Sequence, residues 1–278
     1  MIPPYLALRT THFAHPLEVP MFSEYHRPTT IEDALALLGR EKPLTLPLAG
    51  GTALNARPRR VVLPQGDFAV VDLQDLGLDG WKLRDKTLTM GAMVRLQRLL
   101  DEGEGKLPPA LLEAVRREAN YTLRHQATVA GSLVAADGRS PFALAMMALD
   151  ASLTLLPHEK ELRLGDLYPL RWDQLRGQLI TTVTVPLNVR LAIEMVGRSP
   201  MDLPLVAVAA ARWPSGRTRV VVGGWGDAPR LALDGPEADG VEAAARNAAY
   251  EAEDHLASAE YRREMAATLA HRCVNALN

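Results

Sequence analysis

Two adjacent glycines, Gly50 and Gly51, sit inside the segment LTLPLAGGTALNA (44–56) and constrain this chain more than any other feature of it. Leu44, Leu46 and Leu48 alternate as in a half-buried strand, and Pro47, which cannot donate to a ladder, keeps that strand near a sheet edge. Ordinary turn chemistry needs one glycine. Two in a row remove two consecutive side chains, so either the turn is very tight or something must touch the backbone itself. N–H groups bared in this way can converge on a concavity that suits a phosphate oxygen, and Thr52 adds a hydroxyl donor. A tight strand-end turn is the plainer alternative and stays open here. The stretch is neither G-x-G-x-x-G nor a P-loop, because no Lys-Ser or Lys-Thr follows.

A second run of small residues, TVAGSL (128–133), reads as another turn beside hydroxyls, Thr128 and Ser132, with Asp137 a few residues on. Two such segments from different parts of a fold can bridge one diphosphate. Neither contains a lysine, so neutral N–H and O–H donors would hold it.

The totals exclude several chemistries. Cys273 is the only cysteine, so the chain can build no internal disulfide, iron–sulfur cluster or cysteine zinc site. The seven histidines form no metal-ligand pattern; His12 and His15 are neighbours only within an odd N-terminal stretch. A net charge of −2 gives no argument for nucleic acid or a membrane surface, and no run approaches the roughly 20 apolar residues of a membrane helix. A cytoplasmic protein is expected, with residues 1–20 a loose extension or a misplaced start before Met21. At 278 residues, about two domains are expected, each able to bury a core.

Local patterns place the elements. Thr29 and Glu32 have capping-box spacing ahead of a helix through Ile31, Ala34, Leu35 and Leu38, stopped at Gly39. FAVVDL (68–73) is a buried strand, so a small α/β unit opens the fold. WKLRDKTLTMGA reads as a strand pair leading into a helix with Leu96, Leu99 and Leu100; another helix starts at Pro108–Pro109. Ser140 and Pro141 fit the N-cap and first position of a helix through FALAMMALDA. SLTLLP and QLITTVTVP are strands. Beyond a boundary near residue 190, two strands joined by Pro-Ser-Gly precede two helices, the last with Met265, Leu269, Cys273 and Leu277 along one face. Gly223–Gly226 (GGWG) reads as a turn, and Arg57–Arg60 (RPRR) as a solvated loop.

Taken in order, YHRPTTIEDALALL, LAGGTAL, GAMVRLQRLL, RHQATVAGSLVAAD and FALAMMALDA resemble the flavin-binding medium subunit of the molybdenum hydroxylases, the family of the FAD subunits of xanthine and carbon monoxide dehydrogenases. The resemblance runs from about Tyr25 to the end. It implies an α+β protein: a two-lobed FAD-binding domain of the vanillyl-alcohol-oxidase (PCMH) type over 21–189 (lobes 21–78 and 79–189), then a small C-terminal α+β domain over 190–278 with an antiparallel sheet plus helices. FAD would lie between the lobes, on Leu48, Ala49, Gly50, Gly51, Thr52, Ala53 and Leu54 from one side and Thr128, Val129, Ala130, Gly131 and Ser132 from the other. Asp137 falls near the family's acidic position and would bond a cofactor hydroxyl; Ile180 would border the flavin ring. On this reading the glycines are bare because a diphosphate lies against them.

The chain departs from the family's T-I-G-G-N segment at Ala130 and Ser132. Ser140 and Pro141 stand where a second aspartate is frequent, and Glu194 and Met195 where a lysine is common. The resemblance further implies an electron-transfer subunit with no catalytic side chain and no metal of its own. Its partners would be a molybdenum-cofactor large subunit and an iron–sulfur small subunit, with NAD, a quinone or oxygen as acceptor. A stand-alone flavin oxidoreductase, a flavin-free scaffold subunit and a carrier that keeps the nucleotide structurally are the competing readings.

Overall fold

The computed structural model describes residues 22–55, 67–199 and 202–278; the N-terminal stretch 1–20 and the basic run 57–60 lie outside them. The first lobe consists of β1 (Glu24–His26), α1 (Ile31–Leu38), β2 (Leu44–Leu48) and β3 (Phe68–Asp72). Its sheet has the order β1-β3-β2, and both pairings are parallel. The apolar run of β3 is buried along its whole length because it is the central strand. Pro47 is exposed on edge strand β2. The helix begins one residue later than the capping-box spacing suggests: Thr30 is the N-cap, accepting from the Asp33 N–H at 3.2 Å while its hydroxyl donates to the Asp33 carboxylate at 2.7 Å. Asp33, three residues on from Thr30, therefore stands at the capping-box position expected of Glu32, but its carboxylate accepts from the Thr30 hydroxyl and not from the cap's backbone N–H.

The second lobe comprises β4 (Trp81–Arg84), β5 (Thr87–Gly91), α2 (Leu96–Gly103), α3 (Pro109–Glu118), α4 (Tyr121–Gln126), α5 (Val129–Ala135), α6 (Pro141–Ala148), β6 (Ser152–Leu156), β7 (Lys160–Arg163), α7 (Leu164–Leu167), α8 (Arg171–Leu175) and β8 (Leu179–Pro186). Its five strands form an antiparallel sheet, β4-β5-β8-β6-β7. Asp85 and Lys86 turn the β4–β5 hairpin with φ of +46° and +62°, which matches the twist of the flanking strands. All eight residues of α6 are buried, as a helix apolar on every side must be. It packs between α3 and the C-terminal sheet, and each of its fully buried Phe, Leu or Met side chains contributes about 1.5–3 kcal/mol.

The remaining elements are β9 (Arg190–Val196), β10 (Val206–Arg212), β11 (Thr218–Gly223), β12 (Arg230–Gly235), α9 (Val241–Ala248) and α10 (Ala259–Ala276). The antiparallel sheet runs β12-β11-β10-β9. Strand β10 explains its own composition. Ala207, Ala209 and Ala211 face the core shared with α6, while Val206, Val208 and Ala210 face the core under α9 and α10. The GGWG segment is a structural clasp: the Gly138 N–H donates to Gly226 at 2.9 Å and the Gly224 N–H donates to Gly138 at 2.5 Å. A Cβ on Gly138 would overlap the Trp225 carbonyl.

Candidate functional site

The first glycine segment leaves the C-terminal end of β2, where the Leu73 N–H donates to the Leu48 carbonyl and fixes the strand end against β3. Gly51 has φ +69°, a left-handed conformation that glycine alone enters without cost. The Asn55 N–H returns to the Gly51 carbonyl at 3.0 Å and closes the turn. Gly50 is bare for a different reason. A Cβ there would overlap the carbonyl of Gln126, in the second lobe, and come within 3.1 Å of the Arg95 guanidinium. Each glycine therefore has a structural cause within the protein itself: one from its dihedral, the other from the approach of the opposite lobe. No carbonyl or side chain of a described residue accepts from the backbone N–H groups of Gly50, Gly51, Thr52, Ala53 and Leu54.

The second segment is a helix start and not the turn its composition suggests. Thr128 is the N-cap of α5, and its hydroxyl accepts from the Gly131 N–H at 3.1 Å. The Val129 and Ala130 N–H groups donate to Val94 and Ala92, and that of Ser132 to Thr128. This segment's main-chain donors are thus already engaged, in contrast to those of 50–54. Its small residues serve close packing: a Cβ on Gly131 would lie 3.6 Å from the Ala49 methyl. Here the two lobes meet.

Between them lies a cavity of about 550 Å³. It is lined by Ala49–Leu54 from one side and by Thr128, Ala130 and Gly131 from the other, and Ile180 and Met93 also line it. Leu48, Val129, Ser132 and Asp137 are not in the lining. Leu48 is held behind the turn by its strand partner, and Val129 is fully buried in the core. Asp137 instead accepts from the Arg139 N–H at 2.8 Å, stabilising the bend that reaches the GGWG clasp. A stretch that the sequence reading passed over also lines the cavity: Trp172, Asp173, Leu175, Arg176, Gly177 and Gln178. Its only local signal is an exposed tryptophan followed by arginine and glycine just before a buried strand.

The charged groups nearest the seam are structural. The Arg95 guanidinium donates to the Gln126 carbonyl, and burial lowers its pKa although Asp72 opposes the shift. Asp72 is buried and accepts from the Tyr25 hydroxyl at 2.5 Å and the Gln74 N–H at 3.0 Å. That bond and burial raise the Tyr25 pKa. Among the described lining residues, Asp173 is the only carboxylate, and histidine and cysteine are absent. No group of side chains among the described residues is arranged to hold a metal ion. Free main-chain donors beside an apolar cavity suit a group that brings its own reactivity.

The family described as the FAD binding domain in molybdopterin dehydrogenase matches residues 20–188, well over half of the chain. This chain belongs to that family. FAD is the cofactor of the domain, and Gly50–Leu54, whose N–H groups have no acceptor among the described residues, line the cavity. The carbon monoxide dehydrogenase medium chain of Afipia carboxidovorans is similar to it, 28% identical over 92% of this chain and 96% of that one. YgfM of Escherichia coli K12 is 29% identical over 90% of this chain and 94% of its own length. Reconstituted CO dehydrogenase from Oligotropha carboxidovorans superposes with a TM-score of 0.76 and 26% identity, covering 92% of this chain and 97% of that one. The α+β architecture expected of the resemblance, and the family itself, hold. No helix among the described residues is long and apolar enough to cross a membrane.

Proposed function

We propose that this FAD-binding medium subunit transfers electrons within a molybdenum hydroxylase complex in the cytoplasm. It would receive them from iron–sulfur clusters on a small partner chain and deliver them to NAD, a quinone or oxygen. Hydroxylation of the substrate would take place on a large chain carrying the molybdenum cofactor. The observation that carries this reading is the cavity itself: among the described residues, five consecutive residues with unpartnered N–H groups border it, and no acid–base or nucleophilic cluster does. The single cysteine supports the division of labour, since the clusters need thiolates that this chain lacks.

When bound, FAD supplies reversible one- and two-electron chemistry, and the protein supplies position and electrostatics. The N–H groups of Gly50–Leu54 and the Thr52 hydroxyl would hold the diphosphate. Gly131 and Ala130 would close the seam from the other lobe by packing against it, and Ile180 would present an apolar neighbour to the flavin ring. Exclusion of water by the bound cofactor would strengthen every donor it covers.

The test is purification of the complex followed by flavin and metal analysis, together with an absorption spectrum of the isolated chain after FAD reconstitution. Flavin bands in the chain and molybdenum and iron in the co-purified partners are expected. No flavin bands would leave a scaffold subunit; turnover of a substrate by the chain without partners would make it a self-contained oxidoreductase.

A further inference from the structure

We propose that the strap Trp172–Gln178 is a third cofactor-holding segment, in which Trp172 stacks on a flat ring of the dinucleotide and Arg176 pairs with its diphosphate. The inference rests on FAD occupying this cavity. Among the described residues lining it, Trp172 is the only aromatic side chain and Arg176 the only cation. They are four residues apart along α8 and its C-cap, a spacing that places side chains on one face of a helical turn.

Trp172 is 52% exposed, so about half of its surface is free to meet a ring at the cavity. Arg176 is exposed as well and makes no hydrogen bond or ion pair with any described residue. A dinucleotide offers what both need: aromatic faces at its ends and negative charge in its middle. The two glycine segments supply only neutral donors, so Arg176 would be the countercharge they lack.

The strap is rigidly anchored. Arg171 is 7% exposed, and its guanidinium donates to the carbonyls of Val134 at 2.9 Å, Ala136 at 2.6 Å and Asp227 at 3.0 Å. The same guanidinium stacks on the Trp172 ring at 4.8 Å, and on that of Tyr168 at 5.4 Å. Arg171 therefore fastens the strap to the end of α5 and orients the indole; it is a positioning residue. At the other end Gly177, with φ +68°, brings the chain against the first lobe, where a Cβ would lie 3.7 Å from the Leu38 carbonyl. The strap so spans the cavity from one lobe to the other.

The experiment measures FAD, riboflavin and ADP affinities of the full chain and of Trp172→Ala, Trp172→Phe, Arg176→Ala and Arg176→Lys. Circular dichroism and thermal midpoints establish that each variant is folded; should Trp172→Ala fail to fold, Trp172→Leu takes its place. Trp172→Ala is expected to weaken FAD about tenfold or more, with Trp172→Phe restoring most of it. Weakened riboflavin binding would assign the stack to the isoalloxazine, and weakened ADP binding alone to the adenine. Arg176→Ala is expected to weaken FAD and ADP about tenfold, leave riboflavin unchanged, and be partly rescued by lysine. Either alanine variant binding FAD within about twofold of the parent overturns the assignment for that residue. A parent chain that binds no FAD strikes the reading of the whole cavity instead.

Discussion

The carbonyl oxygen of Gln126 occupies the space that a Cβ on Gly50 would fill, with the Gln126 carbonyl carbon only 2.7 Å from that point. Backbone of one lobe thus touches backbone of the other directly at the mouth of the cavity. Gly50→Ala must push the lobes apart, an overpacking cost of about 1–3 kcal/mol. Gly51→Ala meets no backbone, its nearest neighbour being the Asn55 amide at 3.3 Å, and pays only the left-handed strain of about 1–2 kcal/mol. FAD content per chain and thermal midpoint are both expected to fall further in Gly50→Ala than in Gly51→Ala. The reverse order would show that the seam yields easily.

The fully buried Arg262 is expected to make the C-terminal sheet acid-sensitive. It donates to the Leu205 and Ala252 carbonyls at 3.0 and 2.8 Å and to both oxygens of Asp254 at 2.9 Å. Burial alone would raise the Asp254 pKa, but Arg262 and the N–H groups of Leu256 and Ala257 outweigh it and hold it below the ordinary carboxylate value. A lowered folded-state pKa means that the stabilisation is complete above about pH 4 and drains away as pH falls through the folded value. Asp254→Asn should cost about 3 kcal/mol at pH 7, the lower end for breaking a buried pair because Asp254 is partly exposed. Urea unfolding at pH 7 and pH 3 checks this: the gap between parent and variant should narrow at the lower pH.

Glu118 and Ser140 are expected to be energetically coupled. The buried Glu118 carboxylate, at the end of α3, accepts from the Ser140 hydroxyl at 2.7 Å and the Phe142 N–H at 3.1 Å, while Ser140 itself caps α6. Ser140→Ala should cost about 1 kcal/mol as a lost cap, and Glu118→Gln about 1–3 kcal/mol. A double-mutant cycle read by denaturant unfolding should give a coupling of at least about 0.5 kcal/mol. Simple additivity would mean that the two groups act independently.

Cys273 should be chemically silent in the native protein. Its thiol donates to the Val208 carbonyl at 3.4 Å, and burial together with the Glu194 charge pushes its pKa up to about 12. At pH 8 only about one molecule in ten thousand carries the reactive thiolate. Labelling by a disulfide reagent should therefore track global unfolding, accelerating with urea. Rapid stoichiometric labelling without denaturant would show that α10 opens locally.

Short-range signals were legible in the sequence because they are properties of neighbouring residues. The Ser140–Pro141 helix start, the β4–β5 strand pair, the edge placement of Pro47, the buried run of β3 and the β10–β11 hairpin follow from backbone propensity and hydrophobic period alone. The ordered series of motifs from Tyr25 to the C-terminal helix likewise carried the family and its cofactor. Local chemistry misled at two places. Thr128–Ser132 reads as a turn, yet the Val94 and Ala92 carbonyls draw it into a helix start. Thr29 was displaced as cap by Thr30, whose extended φ of −121° lets its hydroxyl meet the Asp33 N–H.

Only the tertiary structure decided which residues face the cavity. Nothing near Gly50 announces that Gln126 will lie against it, nothing near Asp137 that it will serve a bend, and nothing near Trp172 that Gly177, just beyond α8, will lie against Leu38 of the first lobe. Those outcomes depend on how the two lobes dock, which is set by complementary surfaces distant in sequence; Met93 and Leu179 join the core of Ala34, Leu38 and Val71 across that seam. A residue's neighbours along the chain fix its conformation, while its partners across a seam are chosen by the packing of whole elements.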